Sequence, residues 1–225
     1  MRRKAAEEQL EKNIKNYNRI AEDFDLTRQS DWEEFLQFLP HINDGHRLVD
    51  LGCGNGRFHS FIREHRKIDY VGIDNSDKLL EKARQNHPDT NFLKGDLLKI
   101  PLPDKNADVV VAIASFHHLP SRAHRLQSLG EIHRVLKNNG TLIITVWNLF
   151  QPKYRRHINK AHIRSLLTLG KYHWHDTFIP WSDSGIDRYY YAFKAEELRK
   201  ILELAGFKIL KENISKNLTF ICQKS

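Results

Sequence analysis

The chain has 225 residues, 40% of them hydrophobic and 10% aromatic, and carries a net charge of +8. That length suits one domain with its own core, and the composition excludes a wholly disordered chain. Only Cys53 and Cys222 are present, which argues against a disulfide framework or a cysteine zinc site, and no apolar run approaches the roughly 18–20 residues of a membrane span.

Residues 1–18 are charged and lack the apolar stretch of a secretory signal, so the cytoplasm is the expected compartment. Ala5 to Ile20 is polar with scattered apolar positions and predicts a surface helix, part of an N-terminal helical segment over residues 1–40. Ser30-Asp31-Trp32-Glu33 has the S-x-x-E spacing of a capping box, with a helix expected to about Leu39 and stopped by Pro40. A strand over His46 to Leu51 is followed by a glycine turn and a helix from about Arg57. Strands are expected at Asp69 to Ile73, Asn91 to Lys94 and Ala107 to Ala114, with a helix capped by Ser76 ending near Asn86. Ser121 caps a helix to Leu136 that Asn138-Asn139-Gly140 closes, and Thr141 to Trp147 is a β-branched strand.

Alternating strands and helices predict an α/β fold with a mostly parallel sheet covered on both faces. After Trp147 the alternation stops for about forty residues, whose Trp and Tyr content favours a folded insertion over residues 148–190 in one domain spanning 1–225. A helix over Ala195 to Ala205, closed by Gly206, leads to two last strands, Phe207 to Glu212 and Leu218 to Gln223, close enough to form a hairpin.

Charge is unevenly placed. Residues 1–149 hold 22 Lys and Arg against 21 Asp and Glu, while residues 150–225 hold 14 against 7. Phe150 to His175 has six cations, no acid and interleaved His, Tyr and Trp. Cations mixed with aromatics suit RNA, and a merely solvated basic face has the same composition.

The most informative stretch is Asp50-Leu51-Gly52-Cys53-Gly54-Asn55-Gly56, a strand running into a turn with glycines at alternate positions. It sits at the carboxyl edge of the sheet, where open α/β folds bind ligands. A dinucleotide fingerprint needs G-x-G-x-x-G, and Arg57 stands where its last glycine falls. S-Adenosylmethionine has no pyrophosphate and needs acceptors instead. Asp50 is a candidate for its ammonium, Asp74 with the adjacent Asn75 for the ribose hydroxyls, and Asp96 for the adenine amino group beside Leu97. Cys53 reads as a small packed residue of the loop, and Ala114 ends the fourth strand beside it.

With the three aspartates and the glycine loop in place, the chain resembles the class I S-adenosylmethionine-dependent methyltransferases over nearly its whole length. The resemblance implies a Rossmann-like seven-stranded sheet with its last strand antiparallel and inserted near one end. Tyr17-Asn18-Arg19-Ile20-Ala21 with Phe24 and Thr27-Arg28 resembles the N-terminal segment of the tRNA wobble-uridine methyltransferases. So do Ala112 to His118, Val146-Trp147, Phe178-Ile179-Pro180-Trp181 and Asp187-Arg188-Tyr189-Tyr190 with Phe193. The chain departs from that group at Tyr191, where His is expected, and at Asn217-Leu218-Thr219, which lacks Asn-Trp.

The resemblance implies an enzyme that esterifies the carboxylate of 5-carboxymethyluridine, with the tRNA anticodon stem-loop as partner, a small activator subunit as a candidate second partner, and no DNA or membrane. A carboxylate is ionised at neutral pH, so no strong base is required. A cation that orients it is, and Arg bonds carboxylates bidentately. Arg28 and Arg188 are the candidates, with a surface ion pair the alternative for each. His117 and His118 follow the fourth strand near the methyl group, one expected to face the pocket, with a protonated ring able to meet acceptor or phosphate. Tyr189 and Tyr190 suit either base stacking or the core, and no His spacing suggests zinc. A small-molecule methyltransferase, a non-catalytic RNA-binding module and a nicotinamide dehydrogenase are the competing readings.

Overall fold

A computed structural model describes residues 1–28, 32–182 and 184–225. Seven strands form one sheet: β1 (Arg47–Leu51), β2 (Asp69–Asp74), β3 (Asn91–Lys94), β4 (Ala107–Ile113), β5 (Leu136–Trp147) and, after an insertion, β8 (Phe207–Ile214) and β9 (Asn217–Lys224). Their order is β3-β2-β1-β4-β5-β9-β8. The first five are parallel, and β9 lies between β5 and β8, antiparallel to both. This is the predicted seven-stranded, mostly parallel arrangement with its final antiparallel strand.

Alternation along the strands splits the core in two. Leu48, Val109, Val111, Ile143 and Ile221 face one layer, where they meet Phe58, Phe61 and Ile62 of α3 (Arg57–His65) and Leu80 and Ala83 of α4 (Asp77–Asn86). Val49, Leu51, Val110, Ala112 and Ile144 face the other, against α5 (Arg122–Val135) and α7 (Ala195–Leu204). Each fully buried aromatic or aliphatic side chain contributes about 1.5–3 kcal/mol. Ser76 and Ser121 cap α4 and α5 through the amides of Leu79 and His124, as their positions predict.

Several expectations are corrected. The N-terminal helix, α1 (Arg3–Arg19), does not lie loose on the surface: it buries Gln9, Asn13 and Asn16 along with Ala5 and Ala6. Its amides find partners there, Asn13 donating to the His118 carbonyl at 3.1 Å and Asn16 to the Asp187 carbonyl at 2.7 Å. A short helix, α2 (Ala21–Leu26), follows, and the helix expected to stop at Leu39 is a 3-10 helix, Glu33–His41, with Pro40 inside it. The expected cap at Ser30 lies outside the described residues. α5 ends at Val135, before Asn138-Asn139-Gly140, and Leu136 passes directly into β5.

The aperiodic stretch folds. It contains α6 (Arg155–Leu167) and a two-stranded antiparallel sheet of β6 (Asp176–Pro180) and β7 (Asp187–Tyr191). Ile158 and Ala161 of α6 are its buried positions, and Ile158 packs against Leu149, Ile179, Tyr190 and Ala192. No described helix is long and apolar enough to cross a membrane.

Candidate functional site

A cavity opens at the carboxyl ends of β1, β2 and β4, roofed by α1, α2 and the β6–β7 insertion. Of the fourteen residues singled out by sequence, thirteen line it: Arg28, Asp50, Gly52, Cys53, Gly54, Asp74, Asn75, Asp96, Leu97, Ala114, His117, His118 and Arg188. Gly56 is the exception. It takes φ +83° at the start of α3, and a Cβ there would sit 2.7 Å from the His87 ring, so its role is packing.

The glycine turn is shaped by close approach. Gly52 has φ +76°, and a Cβ on it would lie 2.4 Å from the Cβ of Ser115, whose hydroxyl donates to the Leu51 carbonyl at 2.7 Å. Ala114 ends β4 with φ +52°, a region that costs a non-glycine residue about 1–2 kcal/mol. Its N–H is held by the Thr145 carbonyl at 3.0 Å. Strain of this kind is retained where surrounding structure over-determines it.

The three carboxylates differ. Asp74 is pinned: Gly54 N–H donates to one oxygen at 2.9 Å and Ser76 N–H to the other at 2.8 Å. Asp96 uses Oδ1 to hold the amides of Leu98 and Lys99. Asp50 is buried at the base of the cavity and accepts the Tyr70 hydroxyl at 2.7 Å; burial pushes its carboxyl up to about 7. Burial also raises the Cys53 thiol, so it is a packed residue of the loop and not a thiolate. Three acids around an apolar slot provide acceptors for an ammonium, a ribose and an adenine amino group, and thus fit S-adenosylmethionine. Against a dinucleotide, Arg57 opens α3 where that fingerprint places its third glycine.

The far end of the cavity is basic and aromatic. Arg188 on β7 is buried, with its guanidinium 4.6 Å from the Trp181 ring centroid, 5.3 Å from Tyr190 and 5.4 Å from Trp147. Arg28, just past α2, lies 5.3 Å from the same Trp181 ring and 5.3 Å from Phe24. Among the described residues neither has a carboxylate partner, and Arg188 Nε is buried without any hydrogen bond. Burial and the nearby Arg188 charge both lower the Arg28 value.

His117 and His118 both line the cavity, in opposite tautomers. His118 Nδ1 lies 2.6 Å from the Tyr189 carbonyl, which can only accept, so Nδ1 carries the hydrogen. Nε2 therefore accepts from the Tyr17 hydroxyl at 2.8 Å. His117 Nδ1 accepts the Trp147 amide hydrogen at 3.1 Å, which leaves its hydrogen on Nε2, buried and unpartnered. Burial drives His118 down to about 4 and His117 well below its ordinary value. Neither ring is the cation that sequence reasoning allowed.

Tyr189 is core, its hydroxyl donating to buried Asp176 at 2.7 Å, whereas Tyr190 is a cavity wall stacked on Trp147 at 4.8 Å. Tyr191, the departure from the expected His, donates to Glu197 at 2.6 Å beneath the Arg125 guanidinium. Sequence reasoning missed Asn13 and the structural role of Tyr17. The signal was amides spaced along one helix face, which reads as ordinary solvent exposure.

A family described as methyltransferase domain matches residues 49–144. The chain is 31% identical over 196 residues to a putative methyltransferase of Encephalitozoon cuniculi, covering 86% of each. It is 32% identical over 177 residues to the tRNA (carboxymethyluridine(34)-5-O)-methyltransferase of Saccharomyces cerevisiae, covering 79% of this chain and 58% of that one. The chain thus spans less than two thirds of the yeast relative. A Methanosarcina mazei S-adenosylmethionine-dependent methyltransferase superimposes with a TM-score of 0.71 at 18% identity, over 87% of this chain and 99% of that one. A Haloferax volcanii putative methyltransferase, solved in complex with the Trm112 methyltransferase activator, gives 0.68 at 20% identity, over 92% and 96%. With this fold, this cavity and these relatives, the chain belongs to the S-adenosylmethionine-dependent methyltransferases.

Proposed function

We propose that this chain methylates tRNA, esterifying the carboxylate of 5-carboxymethyluridine at the wobble position. The observation that carries the reading is the pair Arg28 and Arg188. Two guanidiniums meet at one indole, without a carboxylate partner among the described residues, at the end of a cavity whose other end suits the cofactor. Arg188 is buried and Arg28 partly so; a buried cation without an anion is costly, and an acceptor carboxylate would supply the missing charge. The names of the yeast relative and its homologues in other eukaryotes agree with this substrate.

When bound, S-adenosylmethionine supplies an electrophilic methyl on a sulfonium. Asp50 would hold its ammonium, Asp74 its ribose hydroxyls and Asp96 its adenine amino group. Arg28 and Arg188 would orient the acceptor carboxylate at the other end of the cavity. An ionised carboxylate has no proton to lose on methylation, so no residue here would have to accept one. A neutral His117 and His118 suit this, because general-base catalysis is not needed. Positioning of the two reactants is the protein's main contribution. The neighbour solved with an activator makes a small subunit of that kind a candidate partner here.

The test compares two anticodon stem-loops that differ only in the wobble base, 5-carboxymethyluridine or uridine. Methyl transfer to the first alone supports the reading. Equal transfer to both moves the acceptor off the carboxylate, and transfer only to small carboxylic acids makes this a small-molecule enzyme.

A further inference from the structure

We propose that the exposed rings of Phe150 and Trp174, with the surrounding lysines, form a second stacking platform that holds a nucleotide flanking the one modified. The inference rests on the tRNA reading and assigns residues outside the cavity to it.

A single exposed apolar side chain is ordinary, but here two large aromatics flank one histidine ring. Phe150 is 41% exposed and Trp174 57% exposed. The His175 ring sits between them, 5.5 Å from Phe150 and 6.3 Å from Trp174. Phe150 is held by the turn after β5, its amide donating to Asn148 Oδ1 at 3.2 Å. Trp174 is held by the bend that starts β6, where the His173 amide donates to Asp176 at 2.7 Å. The rings are therefore presented from fixed backbone rather than from a free loop end.

The charge around them is positive. Lys194 Nζ lies 6.0 Å from the Phe150 centroid, and Lys153 and Lys171 are exposed on either side in sequence. None of these three lysines forms an ion pair among the described residues. The acid beside the patch, Glu197, is engaged by Tyr191 and lies 3.6 Å from His175. Exposed π-faces among unpaired cations match a single strand, whose bases stack and whose phosphates neutralise the lysines. An acidic peptide would meet the cations and leave the ring faces unused.

Chain connectivity keeps the platform near the cavity. Trp147 lines the cavity and is also stacked by Tyr154, over which Lys153 lies at 4.7 Å. Phe150 is three residues beyond Trp147, at most about 11 Å along the chain. A strand that places one base in the cavity passes this surface with its neighbours.

Binding is read with a fluorescent anticodon stem-loop and the full chain, in the presence of S-adenosylhomocysteine. Trp174→Ala and Phe150→Ala should each weaken binding by about 10-fold, the scale of one lost base–aromatic stack. Trp174→Phe should restore most of it, and methylation of the free 5-carboxymethyluridine nucleoside should be unchanged, which a misfolded variant would not show. Wild-type binding with both alanine variants at wild-type affinity overturns the platform and leaves the tRNA reading standing. Absence of wild-type binding overturns both, and polyglutamate displacing the stem-loop as well as unlabelled RNA does overturns the stacking argument.

Discussion

Arg28 and Arg188 share one indole: their guanidinium carbons lie 5.3 and 4.6 Å from the Trp181 ring centroid, although one follows α2 and the other sits on β7. Two sets of contacts hold α1 and α2 over the sheet edge: Asn16 donates to the Asp187 carbonyl of the insertion, and Glu22 pairs with Lys82 of α4. Each guanidinium offers a charge-assisted contact to an acceptor carboxylate, worth about 1.5–3 kcal/mol. Arg28→Met or Arg188→Met should raise KM for the carboxylate-bearing stem-loop by about 10–100-fold. Cofactor affinity, measured by calorimetry, should stay at the wild-type value. Arg188→Lys should recover only part of the loss, because an ammonium lacks the planar fork.

As the proposed partner of the cofactor ammonium, Asp50 should make cofactor binding pH-dependent. Its carboxyl, near 7 in the free protein, must be ionised to pair with an ammonium. Above pH 7 it already is. Below pH 7 a proton must leave on binding, so affinity falls toward one decade per pH unit. Asp50→Asn should remove this dependence between pH 5 and 7 and weaken binding by about 10-fold or more at pH 8. Titration calorimetry in two buffers of different ionisation enthalpy would count the released proton.

Gly52→Ala should abolish cofactor binding, because its Cβ would meet the Ser115 Cβ at 2.4 Å in a left-handed backbone. Adding Ser115→Gly removes the clash but not the backbone cost of about 1–2 kcal/mol. The double variant should therefore regain thermal stability over the single one without returning to the wild-type value, as read by thermal unfolding.

The chain should lose stability in mild acid. His118 has a folded value of about 4 against an ordinary 6.5, so the unfolded chain takes up its proton first. The stabilisation is complete above pH 6.5 and is lost as pH falls from 6.5 through 4, to a total of about 3 kcal/mol for this ring. His59, also pushed to about 4 by burial, acts in the same direction. Asp50, whose folded value is raised, acts oppositely: its neutral form favours the folded state as pH falls below 7. Urea unfolding at pH 7 and pH 5 should show the net histidine loss, and His118→Asn should reduce the difference.

Tyr17→Phe should leave His118 Nε2 without its donor, 2.8 Å away in the wild-type chain. An unsatisfied buried acceptor costs about 1–3 kcal/mol. Hydrogen exchange should show the loss concentrated in α1, since that contact ties the helix to the turn after β4.

The cofactor half of the site was legible because its signals are local. Asp50 is the penultimate residue of β1, Asp74 ends β2 and Asp96 follows β3, and capping serines mark two of the helices. The acceptor half was legible only as single residues in short resembling stretches. What brings Arg28 to Arg188 is the β6–β7 sheet, and its strands carry no readable period: Arg188 through Tyr191 are all buried, so inward and outward positions do not alternate in polarity. α6 hides its period too, since Ile163, Leu166 and Leu167 are exposed while Ile158 and Ala161 are the buried pair. The neutral state of His117 and His118 was illegible for a different reason. It follows from a backbone amide and a backbone carbonyl contributed by distant segments, which no residue type announces.

The central claim is that the methyl group lands on a carboxylate held by Arg28 and Arg188. The most direct measurement incubates the protein with methyl-labelled S-adenosylmethionine and tRNA bearing 5-carboxymethyluridine, with and without a Trm112-type activator, then treats the product with mild alkali. The expected result is label in the wobble nucleoside that alkali releases as methanol, reduced sharply in the Arg28→Met and Arg188→Met variants. Label in tRNA that survives alkali would contradict it, because the acceptor would then be nitrogen, carbon or a ribose oxygen and the paired guanidiniums would have another purpose.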